Sequence, residues 1–259
     1  MDYNYHAHTF RCGHATGTPE EYVLWAIEHG VRYMGFSEHA PFRFPNGFES
    51  GYRLPVAEID DYMAESKRLV EKYKDRVQLR IGFEMEYYPD FFPQMLKTVT
   101  DCGGEYLILG QHYPENELSS QPHSTKASDS EQRLRSYVSC VLEGMKSGYF
   151  SYVAHPDVLH FTGDPKVYNR EMRKICVAAR EWNLPLEINF LGLREGRHYP
   201  NPAFWKMAGE EQSPVTFGCD AHDVSSAFDA NSLKLAQEMV KEYGLNYIGM
   251  PSIRLIQQL

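Results

Sequence analysis

Tyr3-Asn4-Tyr5-His6-Ala7-His8, followed at once by Thr9-Phe10-Arg11-Cys12-Gly13-His14, is a short β-rich run that ends in three histidines. Residues two apart in a strand point to the same face, so His6 and His8 can grip one ion together. The same design recurs down the chain. Strand-like segments end at or just before Ser37-Glu38-His39, Gly82-Phe83-Glu84, Gly110-Gln111-His112, Ala154-His155-Pro156-Asp157, the arginines Arg194 and Arg197, and Asp220-Ala221-His222. A series of ligand-type residues at successive strand ends means that those ends converge on one place.

Between these strands lie helical patterns, so the chain alternates strand and helix from end to end. Strands are predicted near 2–6, 32–37, 78–85, 105–111, 150–154, 185–190 and 214–219, with a short terminal one near 246–250. Helices are predicted near 19–29, 56–75, 90–101, 129–147, 166–182, 201–210 and 230–243. Thr18-Pro19-Glu20-Glu21 has the composition of a helix start: a hydroxyl cap, proline in the first turn and two acids. Asn183, Gly244 and Cys102-Gly103-Gly104 fit helix stops. Repeated strand–helix units imply a parallel sheet with right-handed crossovers. An open dinucleotide-binding sheet would show a glycine-rich first turn, and none is present. Functional residues on seven successive strand ends fit instead a closed α/β barrel, whose C-terminal rim gathers all of them. Residues 40–55 and the polar stretch Tyr113–Ser130 read as loops over that rim.

Composition narrows the functional classes. The chain has 259 residues, 42% hydrophobic and 14% aromatic, enough for one large core in a single domain. No apolar run approaches the roughly 18 residues of a membrane span. The N-terminus lacks a basic and then apolar leader, so a soluble, cytoplasmic protein without membrane partners is expected. Five cysteines, Cys12, Cys102, Cys140, Cys176 and Cys219, are scattered without a CxxC pair, which argues against a disulfide framework or a thiolate zinc site. The net charge of −9 and the absence of a basic stripe weigh against nucleic acid as the main substrate.

Histidine and carboxylate without thiolate suit Zn²⁺, Fe²⁺ or Mn²⁺. Reading each of His6, His8, His14, His39, His112, His155 and His222 as an ordinary polar residue would need the same coincidence seven times. His29, near the end of a helix, is expected to be structural. His123 is expected to be solvated. His160 and His198 follow rim strands and are candidates for substrate contact.

The order HxH…H, SEH, GxE, GxH, HPD, DxH resembles the PHP (polymerase and histidinol phosphatase) superfamily over nearly the whole chain. Phe36-Ser37-Glu38-His39-Ala40-Pro41 and Ala154-His155-Pro156-Asp157 are most similar to the histidinol-phosphate phosphatases within it. The resemblance implies a single distorted (β/α)7 TIM-like barrel over residues 1–259 with three divalent metal ions at its C-terminal rim. His6, His8, Glu84 and Asp220 would hold the first. Glu84 would bridge to a second, completed by His112 and His155. His14, His39 and His222 would hold the third. Glu84, Asp220 and His222 would also be catalytic.

Such a centre is an anion trap. Three divalent ions give +6, and Glu84, Asp220 and a bridging hydroxide leave about +3. A phosphate monoester fits it, attacked in line by that hydroxide with a nearby arginine neutralising developing charge. Arg197 and Arg194 are the candidate phosphate contacts. Asp157 or His198, besides a metal-held water, are candidates for protonating the leaving group. The expected activity is metal-dependent hydrolysis of a small phosphate ester, most of all L-histidinol phosphate. The alternative substrates are nucleotides, sugar phosphates or nucleic-acid 3′ ends. A non-catalytic scaffold is disfavoured, because no ligand position is lost. For the cationic amine and imidazole of histidinol phosphate, selective contacts are expected from Phe42, Phe44, Phe48 and Glu49 in one rim loop, and Tyr113 and Glu115 in the other.

Overall fold

The computed structural model describes residues 1–258. Its strands are β1 (Tyr3–Asn4), β2 (Tyr33–His39), β3 (Gln78–Met85), β4 (Tyr106–Leu109), β5 (Phe150–Val153), β6 (Leu186–Asn189), β7 (Pro214–Gly218) and β8 (Asn246–Tyr247). Each pairs in parallel with the next, so the sheet runs in sequence order from β1 to β8. The helices between them are α1 (Pro19–Glu28), α2 (Ile59–Tyr73), α3 (Phe92–Asp101), α4 (Glu131–Ser147), α5 (Pro165–Glu181), α6 (Phe190–Glu195), α7 (Pro202–Glu211) and α8 (Ala230–Tyr243).

The ring closes just past the end of β1. Ala7 forms a parallel bridge with Ala221, through hydrogen bonds from His8 N to Ala221 O (2.9 Å) and from Ala221 N to His6 O (3.3 Å). The residues that close the barrel are thus the flanks of the histidines. At the opposite end β1 and β7 splay, and β8 pairs with the first residues of β7. The Tyr3 hydroxyl fills that opening, donating to Gly249 O (2.9 Å) and meeting Thr216 Oγ1 (3.0 Å). The result is a TIM-like barrel of seven strands with β8 as an appendage, in agreement with the sequence reading.

Strand alternation separates two cores. Leu107 and Leu109 point outward into the layer between sheet and helices, whereas Tyr106 and Ile108 join Tyr3, Tyr5, Tyr152 and Ala154 inside the barrel. Tyr106 fills the interior and donates to Tyr5 O (3.0 Å) and Phe36 O (3.1 Å). Gly82 makes room for it, since a Cβ there would lie 2.3 Å from the Tyr106 ring.

Helix ends follow the local chemistry. Thr18 and Glu21 form a reciprocal capping box with Pro19 in the first turn, and Gly244 ends α8 in the left-handed conformation. Several predicted elements run a residue or more past the observed ones, and two stretches differ in kind. The predicted helix 56–75 begins as a 3-10 turn, Val56–Glu58, and becomes α-helical at Ile59. The six residues after β6, with Phe190 expected in the strand and the rest in no regular element, form α6. Its amphipathic pattern is too short to detect, yet the Asn189 side chain caps Gly192 N (3.0 Å) and Phe190 and Leu191 are buried. Among the described residues no helix is long and apolar enough to cross a membrane.

Candidate metal centre

The strand ends bring His6, His8, Glu84 and Asp220 into direct apposition. Glu84 Oε2 lies 3.4 Å from His6 Nε2 and 3.2 Å from His8 Nε2, and Asp220 Oδ1 lies 3.4 and 3.5 Å from the same two atoms. The second oxygen of Glu84 turns the other way, 2.8 Å from His155 Nε2 and 3.4 Å from His112 Nε2. Glu84 therefore stands between two groups of imidazoles. His39 Nδ1 lies 3.1 Å from Glu84 Oε2, and its ring stacks on His8 at 4.3 Å. On the outer side His14 Nε2 and His222 Nε2 face one another at 3.1 Å. Gly110 leaves space for Glu84, because a Cβ there would sit 1.9 Å from Oε1.

These atoms fit divalent cations. His6 Nε2, both nitrogens of His8, His39 Nδ1 and Glu84 Oε2 are buried and have no hydrogen-bond partner. A buried polar atom left unpaired costs about 1–3 kcal/mol, and a shared cation satisfies several at once. Overlapping triads, each with donor atoms mutually within 4.8 Å, are His6–His8–Glu84, His6–His155–Asp220, His39–Glu84–His112 and His8–His39–His222. Cys12 forms another with His14 and His222. Sequence reasoning had set Cys12 aside, and burial pushes its thiol up to about 12.

Electrostatics point the same way. Burial pushes Glu84 up, but His112, His6, His39 and His155 outweigh it and hold the carboxyl well below its ordinary range. For Asp220 burial is likewise outweighed by His6, His8 and His222. Burial disfavours charge on His8, yet Asp220 and Glu84 raise it to about 9. The inner pocket thus attracts positive charge. On the outer side burial and neighbouring imidazoles lower His14, and take His222 to about 3, leaving neutral donors. His155 (φ 29°) and Asp220 (φ 43°) adopt positive φ, a backbone cost often concentrated at functional sites.

A surrounding layer orients the rings. Glu187 Oε2 accepts from His6 Nδ1 (2.8 Å), and Asn189 Nδ2 links Glu187 (2.7 Å) to Asp220 (3.0 Å). Glu86 Oε1 accepts from His112 Nδ1 (2.8 Å) and from the Tyr52 hydroxyl (2.9 Å), while Arg53 Nη2 donates to Glu86 Oε2 (2.6 Å). His14 Nδ1 bonds Cys12 O (2.8 Å). Each contact occupies Nδ1 and aims Nε2 at the centre, the usual way a protein prepares a histidine ligand. Glu86 and Glu187 escaped the sequence reading, although Glu86 lies only two residues after Glu84, just past the end of β3. Glu187→Gln should weaken divalent-metal affinity about 10–100-fold, measured by chelator competition on folded protein. A change within twofold would show that Glu187 does not tune His6.

A cavity of about 460 Å³ opens above this cluster. Arg197 lines it. Arg194 does not: its guanidinium bonds Cys219 O (3.4 Å) and Asp220 O (3.2 Å) and pairs with Asp229 at 3.5 Å, behind the strand end. His160 and His198 stack on each other at 4.1 Å outside the cavity lining, and His198 Nε2 bonds Val158 O (2.8 Å). Tyr113 lies behind Tyr52 and His123 rather than on the cavity wall. His123, expected to be solvated, lines the cavity with Thr125, Tyr52, Tyr199, Val158, Leu191 and Glu195.

The other rim expectations fare similarly. Phe42 and Phe44 are buried against Phe91, Glu49 bonds Arg43 and Val56 N, and Glu115 lines a separate cavity. Asp157 is buried away from the cavity, where Oδ2 accepts from Asn201 N and from the Trp205 indole (3.1 Å). Burial raises its carboxyl to about 6, but its hydrogen bonds hold the start of α7 rather than facing a leaving group.

Comparison with known proteins agrees with the fold. The family model described as the PHP domain matches residues 4–190. A probable histidinol-phosphatase of Deinococcus radiodurans is 29% identical over 228 residues, covering 84% of this chain and 85% of the relative. The histidinol-phosphatase of Bacillus subtilis is 26% identical, covering 87% of this chain and 96% of its own. A crystal structure of histidinol phosphate phosphatase from Lactococcus lactis, complexed with zinc, L-histidinol and phosphate, shares the fold with a TM-score of 0.69 at 20% identity, covering 95% of each chain.

Proposed function

The chain belongs to the PHP domain family, and from that premise we propose that it hydrolyses a small phosphate monoester, L-histidinol phosphate, to L-histidinol and phosphate. The observation that carries the proposal is the set of buried, unpartnered donor atoms on His6, His8, His39 and Glu84 beneath a cavity that also presents Arg197. The likeness to histidinol-phosphatases of two bacteria supports the choice of substrate.

Three divalent ions, Zn²⁺, Fe²⁺ or Mn²⁺, would be held by His6, His8, Glu84 and Asp220, by Glu84, His112 and His155, and by His14, His39 and His222. When bound, such ions supply a water of lowered pKa as nucleophile and positive charge for the phosphate oxygens. The chain's own residues do the rest. Glu84 spans the two inner groups and fixes their spacing. Asp220 and His222, on one short turn, tie the inner group to the outer one. Arg197, reaching over the cavity from beyond α6, neutralises a phosphate oxygen. Residues 1–259 would act as one metal-dependent phosphoesterase domain, since a single sheet carries every strand end in the cluster.

The test is a substrate screen on protein of measured metal content. Turnover of L-histidinol phosphate well above nucleotides and sugar phosphates is expected, and a nucleotide preferred over it would overturn the substrate assignment. Arg197→Ala should lower kcat/KM about tenfold to a hundredfold without changing metal content, the effect of losing a charge-assisted contact of about 1.5–3 kcal/mol. A loss within twofold would remove Arg197 from phosphate binding.

A further inference from the structure

Of the carboxylates that line the cavity, Glu84 and Asp220 are committed to the strand-end cluster, and Glu195 is left over. Glu195 is the last residue of α6, and Gly196 follows it in the left-handed conformation (φ 60°). That turn reverses the chain so that Arg197 comes back beside Glu195. Arg197 Nε and Nη2 both reach one oxygen of Glu195, at 2.8 and 2.7 Å, and Nη1 donates to the Tyr199 hydroxyl at 2.9 Å. The guanidinium is thereby anchored from two sides. Glu195 Oε1, in contrast, accepts no hydrogen bond from another described residue, and with its side chain half exposed it is open to a ligand in the cavity. The cavity wall therefore presents a positive group and a negative group in contact, one with an unused acceptor.

We propose that this pair is a receptor for a zwitterion, with Arg197 taking the phosphate and Glu195 taking an ammonium group on the same substrate. An amino-alcohol phosphate whose amine sits on the carbon next to the ester carbon carries its charges three bonds apart, from ester oxygen to nitrogen. It can lay its dianion against Arg197 and its ammonium against Glu195 without stretching the pair. Neighbouring Val158 and Leu191 offer apolar surface to the remainder of the molecule. A phosphate ester without an ammonium group would engage Arg197 alone and leave Glu195 Oε1 to water. Glu195 is thus the specificity-determining residue, replacing Glu49 and Glu115, which the fold holds elsewhere. The inference rests on the proposed phosphatase activity and names the chemistry that selects its substrate.

The experiment compares metal-loaded wild type with Glu195→Gln on three esters: L-histidinol phosphate, its deamino analogue 3-(imidazol-4-yl)propyl phosphate, and p-nitrophenyl phosphate. Wild type should prefer the amine ester over the deamino ester. Glu195→Gln should lose about fivefold to tenfold in kcat/KM on the amine ester, mainly through KM, because the pair is partly solvated. The other two esters should change less than twofold, because the amide oxygen of the Glu195→Gln variant still accepts from Arg197 and Tyr199 still holds Nη1. Glu195→Asp should restore part of the preference. Equal losses on all three esters would reduce Glu195 to a prop for Arg197 and overturn the proposal. Wild type that hydrolyses p-nitrophenyl phosphate but treats the amine and deamino esters alike would overturn the ammonium site while leaving the phosphatase reading standing. No turnover of any ester at full metal loading would overturn both.

Discussion

Protein stripped of divalent metal by a chelator should lose essentially all phosphatase activity, and added Mn²⁺, Zn²⁺ or Fe²⁺ should restore it. The expectation follows from what remains in the cavity once cations are withdrawn. Glu84 and Asp220 stay ionised among imidazoles, His8 takes up a proton, and no serine or cysteine lies poised with a base as an alternative nucleophile among the residues lining the cavity. Water at its ordinary pKa near 16 is a poor nucleophile, and lowering that to about 7 is the contribution a bound cation makes. Stripping should also lower Tm, because ions that bind the folded state alone stabilise it by mass action. Full activity in protein shown by elemental analysis to be metal-free would sink the metal-dependent reading altogether.

Glu84→Ala should be the most damaging single substitution, lowering kcat/KM by about 10³-fold or more, the equivalent of about 4 kcal/mol of lost transition-state stabilisation. Its two oxygens face opposite ways, one toward His6, His8 and His39 and the other toward His112 and His155. Among the described residues no other side chain contacts both groups so evenly, so its loss uncouples the five imidazoles. His14→Ala, which removes a ligand candidate at the exposed edge of the cluster, should cost less. Metal content and kcat/KM measured side by side for the two variants decide the matter. A milder effect for Glu84→Ala than for His14→Ala would refute its spanning role.

How far the sequence could be read depended on the range of the interactions involved. Strand ends were legible because the signal is local: a β-rich run, then His, Glu or Asp, repeated along the chain. His6 and His8 illustrate this best, since two residues of one strand share a face whatever the rest of the fold does. α6 was not legible, because a helix of six residues around Gly192 has no periodicity to detect and forms through the Asn189 cap and burial of Phe190 and Leu191. Arg194 and Arg197 show the same divide. Three positions apart with Gly196 between them, they look equivalent in sequence, yet one turns behind Asp220 and the other over the cavity. The aromatic rim loops were legible as loops but not as surfaces, since Phe42 and Phe44 found Phe91 and were drawn into the core.

The sequence by itself determined the barrel and the chemical identity of its rim. A parallel sheet of strand–helix units must place all its carboxyl ends together, and the residues at those ends were written in order from His6 to His222. Only the tertiary structure decided which oxygen of Glu84 faces which imidazole, that Glu187 and Glu86 aim His6 and His112, and that Glu195 rather than Glu49 or Glu115 reaches the cavity. Those choices depend on contacts between residues as far apart as His6 and Glu187, 181 positions along the chain. Such pairs meet only after the ring has closed, when side-chain packing and the need of every buried polar group for a partner select one arrangement.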